Sequence, residues 1–126
     1  MRNFLLLLSL FAFSCTSQTG IAQGKLDPGA FEKGMAQEGA QIVDVRTPQE
    51  FGSGHLNGAV NLDISAPGFA ENIARLDKNK PVYVYCAVGG RSASAAGYLL
   101  QQGFTKVYDL SGGISAWQRA GKKVVK

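Results

Sequence analysis

The residue with the clearest capacity for chemistry is Cys86, which follows a short apolar run and begins a glycine-containing loop. Residues 82–85 before it are β-branched or aromatic without interruption, as expected for a strand buried on both faces. Residues 87–92 contain two glycines and an arginine, and the alanine-rich segment after them is typical of a helix. The sequence therefore predicts a cysteine between the end of a core strand and the start of a helix.

A cysteine at the start of a helix meets conditions that favour its ionised form. The first backbone N–H groups of a helix lack partners within it, and together they carry about half a positive charge. Glycines such as Gly89 and Gly90 allow successive N–H groups to turn towards one anion. We therefore expect the pKa of Cys86 to fall below the free value of about 8.5, and Arg91 adds a fixed positive charge. These residue types predict a nucleophilic thiolate facing an anionic substrate, with a buried structural cysteine as the alternative.

The remaining elements are those needed to hold this loop. Helix starts are predicted at Asp27-Pro28 and Thr47-Pro48, where a capping side chain precedes proline. Further helices are expected over residues 69–76, 91–102 and after residues 111–113. Strands are expected over residues 40–45, 82–85 and 106–110, and the glycine-bounded loop of residues 54–62 is expected to lead into one more. Strands that alternate with helices predict an α/β fold with a central parallel β-sheet and helices on both faces. Ligands of such sheets bind beyond the carboxyl ends of the strands, where Cys86 is expected.

Three groups of residues resemble the signature of the rhodanese-like domain family, the sulfurtransferases. The loop reads Cys86-x-x-Gly89-x-Arg91-Ser92. The motifs similar to the first half of that domain are Asp44-x-Arg46, Glu50-Phe51, Gly54-His55-Leu56 and Gly58-Ala59-x-Asn61, and the motif similar to its end is Leu110-x-Gly112-Gly113-x-x-x-Trp117. The resemblance extends over about residues 25–121, so we expect a single rhodanese-like domain over residues 25–126.

This resemblance implies an enzyme that transfers sulfane sulfur. The Cys86 thiolate would take the outer sulfur of thiosulfate, polysulfide or a persulfide donor, and a thiol or cyanide acceptor would then remove it. The backbone N–H groups of the loop would hold the charge of the persulfide, as backbone donors do in an oxyanion hole. The expected substrate-binding residues are those of the loop: Ala87, Val88, Gly89, Gly90, Arg91 and Ser92.

Several side chains of the loop have roles that the residues leave open. Arg91 either contacts the anionic donor or fastens the loop. The side chain of Ser92 is expected to cap the following helix. Ala87 and Val88 are apolar where many thiosulfate-using relatives carry a basic or polar residue. Polysulfide or a persulfide-bearing partner protein therefore stands beside thiosulfate as the donor.

Two other functions remain open from the sequence. Cysteine phosphatases and arsenate reductases of the cell-cycle phosphatase type share this fold, but their Cys-x5-Arg loop is one residue longer and encloses a tetrahedral oxyanion. Here the arginine, Arg91, is the fifth residue after Cys86, so the shorter loop argues against phosphate. The second alternative is a non-catalytic or carrier module that binds a protein partner.

Other classes of site and partner find little support. His55, the only histidine, is predicted to be structural, because attack by an existing thiolate needs no general base. With Cys15 removed or lipidated, one histidine and one usable cysteine supply no zinc site, and Gly89-Gly90 lacks the rest of a nucleotide-binding fingerprint, so neither a metal nor a cofactor is expected. The net charge of +4 is scattered, so nucleic acid is not an expected partner.

Residues 1–22 have the composition of a secretory signal peptide. A short basic start precedes an apolar run over residues 4–13 that is too short to span a bilayer, and small and polar residues follow. Ala12-Phe13-Ser14-Cys15 resembles a bacterial lipobox, which would make Cys15 a lipid-bearing first residue, and we favour this interpretation. Cleavage after Ala22 is the alternative. Both predict an exported, periplasmic domain, and only the first would bind it to the membrane, through a lipid at Cys15.

Overall fold

Five strands and five helices alternate along residues 23–126, the part of the chain that the computed structural model describes. The predictions for residues 1–22 lie outside that part. The elements are β1 (Gln23–Leu26), α1 (Pro28–Met35), β2 (Gln41–Asp44), α2 (Pro48–Ser53), β3 (Val60–Asn61), α3 (Phe69–Ala74), β4 (Val82–Tyr85), α4 (Gly90–Gln101), β5 (Val107–Leu110) and α5 (Gly113–Arg119). The strands form one sheet in the order β1-β5-β4-β2-β3, and every pair in it is parallel. The predicted α/β fold is confirmed.

Strand β4 lies at the centre of the sheet and divides the core into two layers. Val82 and Val84 face the layer formed with α3 and α4, whereas Tyr83 and Tyr85 face the layer formed with α1 and α5. All four side chains are buried, and burying each contributes about 1.5–3 kcal/mol through the hydrophobic effect. Helices therefore cover both faces, as the sequence predicts, and the end of β4 is firmly positioned.

The predicted helix starts are confirmed. Asp27 caps α1 by accepting a hydrogen bond from the backbone N–H of Ala30 at 2.8 Å, and Pro28 takes the first helical position. Thr47 and Glu50 form a reciprocal capping box at the start of α2. Within residues 23–126, every helix is too short or too polar to span a membrane.

One element, β1, is absent from the sequence-based expectation. Its residues are mostly exposed, and it lies at the edge of the sheet, where it pairs with β5 from Gln23 opposite Val107 to Leu26 opposite Leu110. An exposed edge strand lacks the continuous apolar pattern of a buried one, so composition does not reveal it.

Candidate active site

Cys86 directly follows β4 at the carboxyl edge of the sheet. Its side chain continues the face of Val82 and Val84 and belongs to the same apolar cluster. The residue is only 1% exposed, because the loop that follows folds over the sulfur. Even so, polar groups of that loop surround the sulfur, so it is not a thiol packed only among apolar side chains.

The loop directs several hydrogen-bonding groups at the Cys86 sulfur. The backbone N–H of Gly89 lies 3.0 Å from Sγ, and the hydroxyl of Ser92 lies 3.3 Å from it. Burial acts to raise the pKa of the Cys86 thiol, but the Ser92 hydroxyl and the backbone N–H groups of Ser92, Gly89 and Val88 together outweigh it. The pKa is therefore lowered from its ordinary value, in the direction that the sequence predicts. The arrangement favours a thiolate nucleophile.

Gly89 allows the loop to turn into the helix. It takes the N-cap position of α4 with a φ of +121°, a conformation that a residue with a side chain rarely adopts. The prediction that Ser92 caps this helix is wrong, because Gly90 and Arg91 already belong to α4 and Ser92 is its third residue. The Ser92 hydroxyl oxygen accepts a hydrogen bond from the Cys86 thiol at 3.3 Å and donates to the carbonyl oxygen of Gly89 at 3.2 Å. When the thiol loses its proton, the same hydroxyl can turn and donate to the sulfur. It therefore serves the thiol and not the helix end.

Arg91 is tied to helix α2 by a two-pronged ion pair. Its Nη1 and Nη2 lie 2.7 and 2.9 Å from the two carboxylate oxygens of Glu50. The hydrogen bonds from Arg91, opposed by burial and aided by Thr47, lower the pKa of Glu50 to about 2. Of the two roles considered for Arg91, this geometry supports fastening of the loop. The pair joins residues 41 positions apart, which residue types alone did not reveal.

The other polar residues of the upstream motifs support the fold around the loop. Asp44 and Arg46 are buried and pair with each other at 2.7 Å. The His55 ring stacks on Phe51 with centroids 3.8 Å apart, and its Nδ1 lies 3.0 Å from the Phe51 carbonyl oxygen. These contacts are in keeping with a structural role for His55.

The start of helix α5 holds the other side of the active loop. The backbone N–H groups of Ile114 and Ser115 donate to the carbonyl oxygens of Cys86 and Ala87 at 2.9 and 3.1 Å. Gly113 has a φ of +62°, and a Cβ on it would lie 2.5 Å from the Ala87 carbonyl oxygen. The sequence marks this glycine only as part of a motif, and the contact explains why a side chain does not fit there.

The loop also presents an outer surface. Val88 is 71% exposed at its tip, and Gly90 is exposed beside it. Of the expected loop residues, the structure thus directs the backbone N–H groups of Val88, Gly89 and Ser92 at the sulfur and leaves the Val88 side chain outside.

Comparison with known proteins agrees with this geometry. The family model of the rhodanese-like domain matches residues 27–120. The chain is 43% identical to thiosulfate sulfurtransferase GlpE of Pseudomonas aeruginosa (strain LESB58) over 84 residues, 67% of this chain and 74% of that protein. It is 46% identical to the protein of the same name from Stutzerimonas stutzeri over 85 residues, 67% of this chain and 75% of that protein.

A solved structure shows the same fold. The rhodanese-related protein of Thermoplasma volcanium superposes with a TM-score of 0.71 and is 31% identical, covering 80% of this chain and 96% of that one. The central parallel sheet, the loop after its middle strand and the family match lead to one assignment. The chain belongs to the rhodanese-like domain family and is a rhodanese-type sulfurtransferase.

Proposed function

We propose that Cys86 takes a sulfane sulfur from thiosulfate, holds it as a persulfide and passes it to a thiol. The observation that supports this most directly is the Gly89 N–H at 3.0 Å from the Cys86 sulfur, together with the lowered pKa of that thiol. A thiolate held by inward-facing N–H groups is both a nucleophile and a site adapted to an anionic sulfur.

The reaction divides into two displacements. The Cys86 thiolate attacks the outer sulfur of thiosulfate, the bond between the two sulfurs of thiosulfate breaks, and sulfite leaves with the electron pair. The persulfide formed on Cys86 then gives up its outer sulfur to an attacking acceptor thiolate, and the Cys86 thiolate is regenerated. Backbone N–H groups of the loop would stabilise the charge on the outer sulfur between the two steps.

Thiosulfate is the first donor to test because the relatives that are 40–46% identical are named for it. Polysulfides and persulfides of thiols carry the same transferable sulfur and are the second class. The sequence of the loop supports this second class, because Ala87 and Val88 offer no charged or polar side chain to a free dianion directly after the cysteine.

Intact-protein mass spectrometry tests the proposal. Incubation with thiosulfate or polysulfide is expected to add one sulfur atom that cyanide removes, and Cys86→Ser is expected to abolish the gain. A chromogenic phosphate ester tests the phosphatase alternative in parallel. Release of phosphate without formation of thiocyanate from cyanide would contradict the proposal. Loading of one sulfur without multiple turnover, for any acceptor tried, would favour the carrier alternative.

We also propose that the domain acts outside the cytoplasm, anchored by a lipid on Cys15. The support is the composition of residues 1–22 and the lipobox-like residues before Cys15. Mass analysis of the mature amino terminus distinguishes a lipidated Cys15 from a start at Gln23, and an unprocessed chain in the cytoplasm would contradict export.

A further inference from the structure

The guanidinium of Arg91, the cation of the active loop, already forms an ion pair. Both outer nitrogens of Arg91 bind the Glu50 carboxylate, which neutralises the charge that the sequence assigns to an anionic donor. Among the arginines of residues 23–126, Arg46 is likewise paired, with Asp44. Arg75 and Arg119 are exposed and have no ion pair with another described residue.

Arg119 lies near the side of the active loop that packs against the start of α5. It is the last residue of that helix, and its Nη2 would lie 3.8 Å from a Cβ placed on Gly112. Gly112 in turn borders the loop, because its backbone nitrogen would lie 4.0 Å from a Cβ placed on Gly89. Gly89 is the residue whose N–H contacts the Cys86 sulfur. The unpaired guanidinium of Arg119 is therefore separated from the turn at Gly89 only by Gly112.

We propose that Arg119 recruits the anionic sulfur donor to the active loop, an inference that deepens the proposed function and rests on it. Thiosulfate carries two negative charges, so a nearby exposed cation raises its concentration at the loop. Arg119 acts on the approach of the donor and not on the transfer itself. Its removal therefore lowers kcat/KM for thiosulfate and leaves kcat unchanged.

Arg75 provides a matched control. It directly follows α3, whose end leads towards the start of β4, so Arg75 lies at the opposite edge of the sheet from Cys86. Like Arg119 it is exposed and has no ion pair with another described residue. Arg75→Gln and Arg119→Gln change the net charge equally, so a difference between them reports on position.

The experiment compares anionic with neutral reagents that react at the same sulfur. Second-order rates of sulfur loading from thiosulfate, and of Cys86 alkylation by iodoacetate and by iodoacetamide, are followed by intact mass at low ionic strength. At about 10 Å in water, well inside the Debye length at low ionic strength, one cation raises the local concentration of a dianion about fourfold and of a monoanion about twofold. Arg119→Gln is expected to lower the thiosulfate rate about fourfold and the iodoacetate rate about twofold, without changing the iodoacetamide rate.

Further readouts separate recruitment from a structural effect. Arg119→Lys is expected to retain most of the thiosulfate rate, Arg75→Gln to match the unmodified protein, and about 1 M salt to remove the difference. Equal rates for Arg119→Gln and the unmodified protein would refute the inference. So would an equal loss with iodoacetamide, which would indicate a disturbed loop.

Failure of the proposed function has a different signature. If thiosulfate and polysulfide add no sulfur to the unmodified protein, the proposed transfer reaction is wrong. The ratio of iodoacetate to iodoacetamide rates still measures the effect of Arg119 on anions, because alkylation needs only the Cys86 thiolate.

Discussion

Replacing Gly113 with alanine tests the contact between helix α5 and the active loop. The new methyl group would lie 2.5 Å from the carbonyl carbon and oxygen of Ala87 and 2.6 Å from the carbonyl oxygen of Cys86. These are backbone atoms, which cannot swing aside as the end of a flexible side chain can. Either the loop or the start of α5 must move, and the thiol moves with the loop.

The expected loss of stability has two sources. A residue with a Cβ at a φ of +62° costs about 1–2 kcal/mol in the left-handed region. Separation of α5 from the loop would also weaken the hydrogen bonds from Ile114 and Ser115 to the loop carbonyls, each contributing about 1 kcal/mol. The free energy of unfolding should therefore fall by about 3–4 kcal/mol, a large share of the roughly 5–15 kcal/mol of a typical domain.

Gly121→Ala is the matched control. Gly121 has a φ of +78°, but a Cβ on it would meet no atom within 4 Å. This variant carries the cost of the left-handed conformation without the contact, so it should lose only about 1–2 kcal/mol. Urea unfolding of the two variants beside the unmodified protein measures the difference, and the rate of Cys86 alkylation against pH reports whether the loop has moved.

Two results would refute this reasoning. The first is a free energy of unfolding for Gly113→Ala within about 0.5 kcal/mol of that for Gly121→Ala, which would mean that the contact has no cost. The second is an unchanged pH profile for alkylation of Cys86 in a folded Gly113→Ala protein, which would mean that α5 does not position the thiol.

Three further variants test the surroundings of the thiol. Ser92→Ala removes the hydroxyl that counters the effect of burial on the pKa of Cys86, so alkylation should slow up to about tenfold at neutral pH and its profile should move to higher pH; an unmoved profile would contradict the assigned contact. Glu50→Gln breaks the pair with Arg91. Because the pKa of Glu50 is lowered from 4.5 to about 2, its stabilising effect is full above pH 4.5 and lost towards pH 2. Thermal unfolding of this variant and the unmodified protein should converge as the pH falls through that range, and a constant difference would argue against the pair. Tyr85→Phe leaves a buried backbone N–H without its acceptor at 3.0 Å, and urea unfolding should show a loss of about 1–3 kcal/mol, whereas a neutral result would mean that another acceptor replaces it.

The order of elements and the place of the nucleophile could be predicted because they depend on local patterns. A continuous apolar run identifies β4, and a capping residue followed by proline identifies α1 and α2. Cys86 between a buried strand and a glycine turn likewise follows from neighbouring residues. These features need only a few positions of sequence to be recognised.

The features missed from the sequence depend on distant parts of the chain. The partner of Arg91 is Glu50, and the loop carbonyls are bound by residues of α5. The depth of Cys86 follows from how the loop folds over it, which composition does not specify. Serine often caps helices, so its type predicts a cap at Ser92, yet the turn at Gly89 starts α4 earlier and brings the Ser92 hydroxyl within hydrogen-bonding distance of the sulfur.

The reactive sulfur is held by three segments, around Glu50, Gly89 and Gly113, that meet only when the sheet is complete. A newly made chain therefore carries an ordinary cysteine, with no carbonyl or amide yet in place to change its acidity. Its sulfur acquires the lowered pKa only when these segments meet, so the acidity of the thiol is a property of the complete fold and not of the loop sequence alone.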